Sequence, residues 1–226
     1  MGTGLQVMKK LRFLSTAMAG VPIALLLLSA GSASAESMLF LVTVNTSSVN
    51  GTSGFLDFQF NPDQASSQLA LAEITDFNAG GGTLVFNANS PQLNGDVAGT
   101  LPNPVTLVND TSLNEMFQQF NYGSFFSFLL YLTGPALDHP NGTSPAGSEF
   151  GLGLFDQDQN EILTGPSSAF AGEAIINLDG TVTTQTFPER GSVVSFQVLP
   201  EPGTPGLLAL GATGLLLLGR RRLVHN

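Results

Sequence analysis

The chain predicts an all-β fold, an antiparallel β-sandwich or jelly-roll-like ectodomain with one short helix, preceded by a signal peptide and followed by a C-terminal transmembrane helix. Three observations carry that prediction. Short runs rich in Phe, Val, Leu and Thr recur between clusters of Gly, Pro, Asn and Asp, the spacing of strands joined by tight turns. Helical periodicity is nearly absent. Leu56, Phe58 and Phe60 alternate with Asp57 and Gln59, the period-2 signature of a strand with one face in a core. There is no cysteine, so packing alone must hold the domain together.

Taken in order, the first strand is predicted over 38–46, closed by the polar loop Asn45-Thr46-Ser47-Ser48. Gly51 and Gly54 punctuate the approach to the second strand, which Asn61-Pro62 stops. A third strand is expected over 69–77. Gly80-Gly81-Gly82 then turns the chain into a short fourth over 83–87; no Lys and no helical pattern follow the triplet, so it reads as a turn and not as a phosphate loop. Two further strands are expected over 95–101 and 105–108, with Pro102 and Pro104 marking an edge or corner. The helix is expected over 110–120, where Asp110, Thr111 or Ser112 can cap it. Leu113, Met116, Phe117 and Phe120 fall there at i, i+3, i+4 and i+7.

The apolar run 125–132 is too short for a membrane helix and predicts a central strand. Residues 135–147 read as a Pro/Gly/Ser/Asn loop carrying His139. A strand over 150–155 follows, whose Gly151 and Gly153 admit a close neighbour. Asp179-Gly180, between runs at 174–178 and 181–184, is the strongest hairpin signal. A last strand over 193–198 closes the sheet.

Both ends read as targeting segments. Lys9, Lys10 and Arg12 precede an apolar core over 13–28, and Ala33-Ser34-Ala35 supplies the small residues of a cleavage site after Ala35. Residues 1–35 therefore predict a secretory signal peptide, handled by the Sec translocon and signal peptidase; an uncleaved first transmembrane helix is the alternative. At the other end stand Pro200-Glu201-Pro202, an apolar run over 206–219, and Arg220, Arg221 and Arg222. The fourteen-residue run would rise roughly 21 Å as a helix against a hydrocarbon core of about 30 Å, a marginal span. Three arginines make its far end a cytoplasmic stop, which puts the domain outside the cytoplasm. Pro200 and Pro202 keep the connecting segment extended and unpaired, a form a protease cleft can accept.

That ordered tail closely resembles the PEP-CTERM sorting signals of Gram-negative bacteria. The resemblance implies that an exosortase recognises 200–226 and cleaves near Pro200-Glu201-Pro202 during export, with the inner membrane as a transient station. An ordinary membrane anchor is the plain alternative. A Gram-positive sortase signal is disfavoured, because Pro202 stands where its Thr would be attacked. The segments 51–62 (GTSGFLDFQFNP), Gly95-Asp96-Val97 to Leu101-Pro102, and Thr133-Gly134-Pro135 also resemble PEP-CTERM ectodomains. That second resemblance implies a β-rich exported domain at 36–199 and transfers no catalytic residue.

Six of the seven Lys and Arg residues lie in the two targeting segments. Arg190 is then left against sixteen acids between them, a net charge near −15. Such a field repels nucleic acid and anionic headgroups. With no Cys or Lys, one His and one Arg, the usual nucleophile, Schiff-base and histidine-metal chemistries lack parts. His139, beside Pro140 and Asn141, has no nucleophile-elbow motif to serve and reads as an exposed loop histidine. Sixteen acids leave material for a carboxylate-only glycosidase, but abundance does not make a pair. No catalytic residue is assigned, and the domain is read as a non-enzyme.

Asp156, Asp158 and Asn160 form the one cluster that suggests a cofactor, since oxygen ligands at alternate loop positions can wrap calcium. Glu161 stands where an EF-hand loop wants Gly, and Ser167 where it wants a bidentate Glu, which favours a plain polar turn. The resulting expectation is a surface or extracellular-matrix protein, structural or adhesive in a polysaccharide-associated layer such as a biofilm. Exopolysaccharide is its expected partner and nucleic acid is not. The alternative is a carbohydrate-binding or carbohydrate-cleaving domain, for which the absence of Trp and the presence of only Tyr122 and Tyr131 are unfavourable.

Overall fold

Strands that alternate apolar and polar residues can bury only one face, and this chain satisfies its strands by laying two antiparallel sheets over a shared core. The computed structural model describes residues 37–143, 147–164, 169–187 and 193–200. The signal peptide with Ala33 and Ala35, and the tail from Glu201 and Pro202 to Arg220, Arg221 and Arg222, lie outside the described residues, as does Arg190.

The strands are β1 (Ser37–Asn45), β2 (Ser53–Pro62), β3 (Leu71–Asn78), β4 (Thr83–Leu84), β5 (Gln92–Asn94), β6 (Val97–Gly99) and β7 (Val105–Val108). They continue as β8 (Glu115–Asn121), β9 (Phe125–Thr133), β10 (Ser148–Asp156), β11 (Gly172–Ile176), β12 (Val182–Thr186) and β13 (Val194–Leu199). The first sheet has six strands in the order β13-β1-β9-β3-β7-β6. The second has seven, β12-β11-β10-β2-β8-β4, with β5 also paired to β8.

Phe40, Val42 and Val44 of β1 and Phe126, Phe128, Leu130 and Leu132 of β9 are buried, as are Leu56, Phe58 and Phe60 of β2 and Phe150, Leu152 and Leu154 of β10. Rings join the sheets edge to face: Phe58 meets Phe128 at 5.5 Å and 80°, and Phe120 meets Phe77 at 6.1 Å and 83°. The apolar run expected to be central is β9, flanked by β1 and β3, and the Pro102/Pro104 corner lies between β6 and β7 at the end of its sheet. The hairpin at Asp179-Gly180 also forms. Gly180 sits at φ +80°, Asn177 N donates to Thr181 O at 2.8 Å, and Asp179 Oδ1 accepts from Thr181 N at 3.0 Å.

The helix expected over 110–120 does not form. Residues 115–121 are β8, with Met116, Gln118 and Phe120 buried and Glu115, Phe117 and Gln119 half-buried on the opposite face. Two periodicities compete in this stretch, and Gln118 disguises the correct one because it is a polar residue in an inward position. Its Nε2 donates to Val85 O at 2.8 Å and to Ser90 Oγ at 3.0 Å, which offsets part of the cost of burial, while its Oε1 has no partner among the described residues. Asn114 removes the proposed cap. Its Nδ2 donates to Phe60 O (3.0 Å) and Thr111 O (2.9 Å), while its Oδ1 accepts from Asp96 N (3.0 Å) and Thr111 Oγ1 (2.5 Å). A side chain so engaged with non-helical backbone favours a turn over a helix start.

The one α-helix among the described residues is α1 (Pro135–Asp138), inside the stretch read as loop, where Pro135 opens it and Ala136 and Leu137 are buried; a single 3-10 turn also forms at Ser47–Val49. The strands expected over 83–87 and 95–101 shrink to β4 and β6, and β5 was not expected. Its sequence Gln92-Leu93-Asn94 becomes a strand only because β8 offers it an edge.

Asn114 is fully buried, and Asn114→Ala would leave the carbonyls of Phe60 and Thr111 and the amide of Asp96 short of partners. The expected loss is about 2–4 kcal/mol, at about 1–3 kcal/mol per unsatisfied buried group with partial relaxation. Urea unfolding measures it. A change below about 0.5 kcal/mol would show that the loop at 110–114 is not held by this side chain.

Candidate functional site

The outward faces of β2, β8 and β10 meet in one surface on the larger sheet. Because side chains alternate, Phe55, Asp57, Gln59 and Asn61 of β2 point away from the core, and the register sets each against a neighbour. Phe55 lies between Gln119 and Phe155, Asp57 between Phe117 and Gly153, and Gln59 between Glu115 and Gly151. Gly151 and Gly153 are the glycines expected to admit a neighbour. A Cβ on Gly151 would lie 2.6 Å from the Phe170 ring, and one on Gly153 would lie 2.8 Å from the Phe155 ring.

Three rings pave one end of this surface. Phe55 and Phe117 stack at 4.7 Å and 13°, and Phe117 meets Phe155 at 5.6 Å and 66°. Tyr122 ties the two strands beneath them, its single hydroxyl proton shared between Phe55 O (2.7 Å) and Phe155 O (3.0 Å). Beside the rings runs a chain of polar groups. Asn94 Nδ2 donates to Glu115 Oε2 at 2.6 Å, Gln59 Nε2 to Asp57 Oδ2 at 2.7 Å, and Asn61 Nδ2 to Gln59 Oε1 at 2.9 Å.

Two carboxyls on this face are displaced from their ordinary acidity. Asp57 is 3 % exposed, and its Oδ1 has no hydrogen-bond partner among the described residues. Burial pushes its carboxyl up to about 7, against the pull of the Gln59 hydrogen bond and with a further push from Glu115. Glu149 is pushed up to about 7 as well, chiefly by burial and then by the neighbouring carboxylates of Glu173 and Asp63. It borders a cleft of about 170 Å³ lined by Gln59, Asn61, Pro62, Asp63 and Phe170.

The larger cleft, about 560 Å³, lies at the aromatic end and is lined by Phe55, Asn87, Ala88, Asn89, Gln92, Gln119 and Gln159. Its loop is tied down by side chains. Asn87 Nδ2 donates to Gln119 Oε1 (2.8 Å), Asn89 N to Asn87 Oδ1 (2.8 Å), and Gln119 N to Ser90 Oγ (2.8 Å).

The turn read as a half calcium loop contributes Gln159 to the lining. Asp156 Oδ1 accepts from Asp158 N and Asn160 N, both at 2.9 Å, and Asn160 Nδ2 donates to Asp156 Oδ2 at 3.1 Å. These hydrogen bonds, the backbone one from Asn160 foremost, hold the Asp156 carboxyl below its usual range. The turn also holds Gln159 at φ +62°, a left-handed conformation uncommon for a residue other than Gly. Asp156, Asp158 and Asn160 are thus brought together, with Asp156 as the hub of a turn that sets Gln159 beside the cleft.

The other sites predicted from sequence lie elsewhere. Pro200 is exposed and directly follows β13, while the rest of the sorting tail and the signal cleavage residues fall outside the described residues. His139 is exposed at the end of α1. The cleft was not legible as a site in the sequence, because its residues come from β2, the 87–92 loop, β8 and the 157–160 turn. The only local sign was the density of Asn and Gln in 87–94.

Fold and surface together define an all-β, sandwich-like domain with an amide-rich, ring-paved face on its larger sheet. No protein-family model, curated protein or solved structure matches the chain.

Proposed function

We propose that this chain is an exported domain, cleaved at its tail by an exosortase, that serves as a structural or adhesive component of a polysaccharide-associated layer at the cell surface or in the extracellular matrix. The observation that supports this most directly is the junction at Leu199. The last edge strand ends there, and the exposed Pro200 opens the Pro-Glu-Pro motif, apolar run and arginine stop in that order. A tail beginning where the sheet ends can enter a protease without unfolding the domain. The acidic domain and its cysteine-free core suit a soluble, hydrated environment.

The test is the intact mass and location of the protein in its native host, with and without the exosortase. Loss of 1–35 and of the tail near residue 200, dependent on that enzyme, is the expected result. A full C-terminus retained in the inner membrane of both strains would leave an ordinary anchored ectodomain. The second reading, a carbohydrate-binding or carbohydrate-cleaving domain, is favoured by one observation, the ring-paved amide face described above.

A further inference from the structure

We propose that the cleft bounded by Phe55, the 87–92 loop, Gln119 and Gln159 is a glycan-binding site that takes a segment of a neutral, hydroxyl-rich polysaccharide. This deepens the adhesive reading and rests on it, since it names the face through which the domain would hold its matrix.

The chemistry of the lining selects the ligand. Asn87, Asn89, Gln92, Gln119 and Gln159 present primary amides, each carrying a donor pair and an acceptor, and no charged side chain lines the cleft. An amide matches two vicinal hydroxyls, one donating and one accepting, and a pyranose presents such pairs repeatedly. The apolar face of a sugar ring needs a flat apolar partner. Phe55, held by stacking on Phe117, and Ala88 supply one. A volume of about 560 Å³ falls within the range of small-ligand sites.

The protein's own hydrogen bonds leave the required groups free. Asn87 is spent on Gln119 Oε1 and on the backbone of Asn89, and Gln92 Nε2 donates to Asn89 O at 3.2 Å. Among the described residues, the side-chain amides of Asn89 and Gln159 make no hydrogen bond to protein, and Gln119 keeps its Nε2 donor. The groups left over are therefore amides from three segments lining the cleft, the 87–92 loop, β8 and the 157–160 turn, tied down by the Ser90 and Asp156 hydrogen bonds. Such preorganisation lowers the ordering cost of binding. The left-handed Gln159 points the same way, since backbone strain of this kind persists where surrounding structure enforces it and clusters at ligand sites.

Charge decides between polysaccharide classes. With sixteen acids and Arg190 between the targeting segments, the domain repels polyuronates and sulfated glycans, whereas a neutral glucan or mannan meets no such barrier.

The test uses the full chain in detergent, run by affinity electrophoresis through gels containing a soluble β-glucan, a galactomannan or alginate. At least one of the two neutral polymers is expected to retard the protein and alginate is not. Asn89→Ala with Gln159→Ala should weaken retardation about tenfold, the equivalent of about 1.4 kcal/mol, at an unchanged melting temperature. Gln197→Ala, exposed on the other sheet, should leave it unchanged. No retardation by either neutral polymer, retardation equal in the double variant, or stronger retardation by alginate would each overturn the proposal. Matrix retention in the native host separates its failure from that of the adhesive reading. Retention by a protein that binds no glycan in the gel would leave adhesion standing and move it to another face.

Discussion

Phe120→Ala should destabilise the domain by about 3–5 kcal/mol and lower its melting temperature by roughly 10–20 °C, the largest effect expected of any single truncation in β8. The side chain is fully buried and contacts three rings, Phe77 and Phe126 across the sheets and Tyr122 just past the end of its own strand. Phe126 is also held by stacking on Phe128 of the same strand at 6.4 Å, which limits its movement into the space. The same experiment separates the strand from the helix that the apolar spacing suggests. A helix with Leu113, Met116, Phe117 and Phe120 on one buried face would make all four truncations costly. The strand predicts large losses at Met116 and Phe120, a smaller one at Phe117, and almost none at Leu113, which is 42 % exposed. Chemical unfolding of the four Ala variants measures the order, and a loss at Leu113 comparable to that at Phe120 would overturn it.

Asp57→Asn should stabilise the domain at alkaline pH and change little in acid. A carboxyl pushed up to about 7 from 3.8 binds its proton more tightly in the folded chain than in the unfolded one. The stability tied to that proton is fully present below about pH 4 and is lost as pH rises through 7, on the order of 4 kcal/mol for a ratio of about three powers of ten in acidity. Asn keeps an oxygen for the Gln59 donor and carries no charge into the space between Phe117 and Gly153. The variant should therefore exceed the wild type by a few kcal/mol at pH 8, with the gap closing toward pH 4. Glu149, also raised, adds to the alkaline loss in both proteins and cancels in the comparison. Unfolding curves at several pH values test this. A gap independent of pH, or none at pH 8, would mean that Asp57 is not held in a desolvated site.

The fold class and most of its strands are legible in the sequence because local patterning decides them. Alternation at 56–60 places β2, the run at 125–132 places β9 at the centre, and Asp179-Gly180 places the last hairpin of the larger sheet. What misleads is any stretch where a tertiary partner overrides local preference. Gln118 is polar yet inward, its Nε2 donor taken by Val85 O and Ser90 Oγ, so the alternation of β8 is hidden. Asn114, one of several polar residues ahead of that strand, proves to be a buried clamp rather than a neighbour of a helix cap. Gln92-Leu93-Asn94 has no strand character until β8 stands beside it.

By itself, then, the sequence determined that the chain is all-β, acidic and without disulfides, because composition and periodicity are local properties that folding does not alter. Tertiary structure alone decided which polar residues were to share a surface. Asp57 acquires its unusual acidity from rings and glycines on two other strands, and the amide cleft is assembled from four segments up to a hundred residues apart. Desolvation and convergence of this kind depend on strand order, which brings together residues far apart in the chain and so is not written in any local pattern.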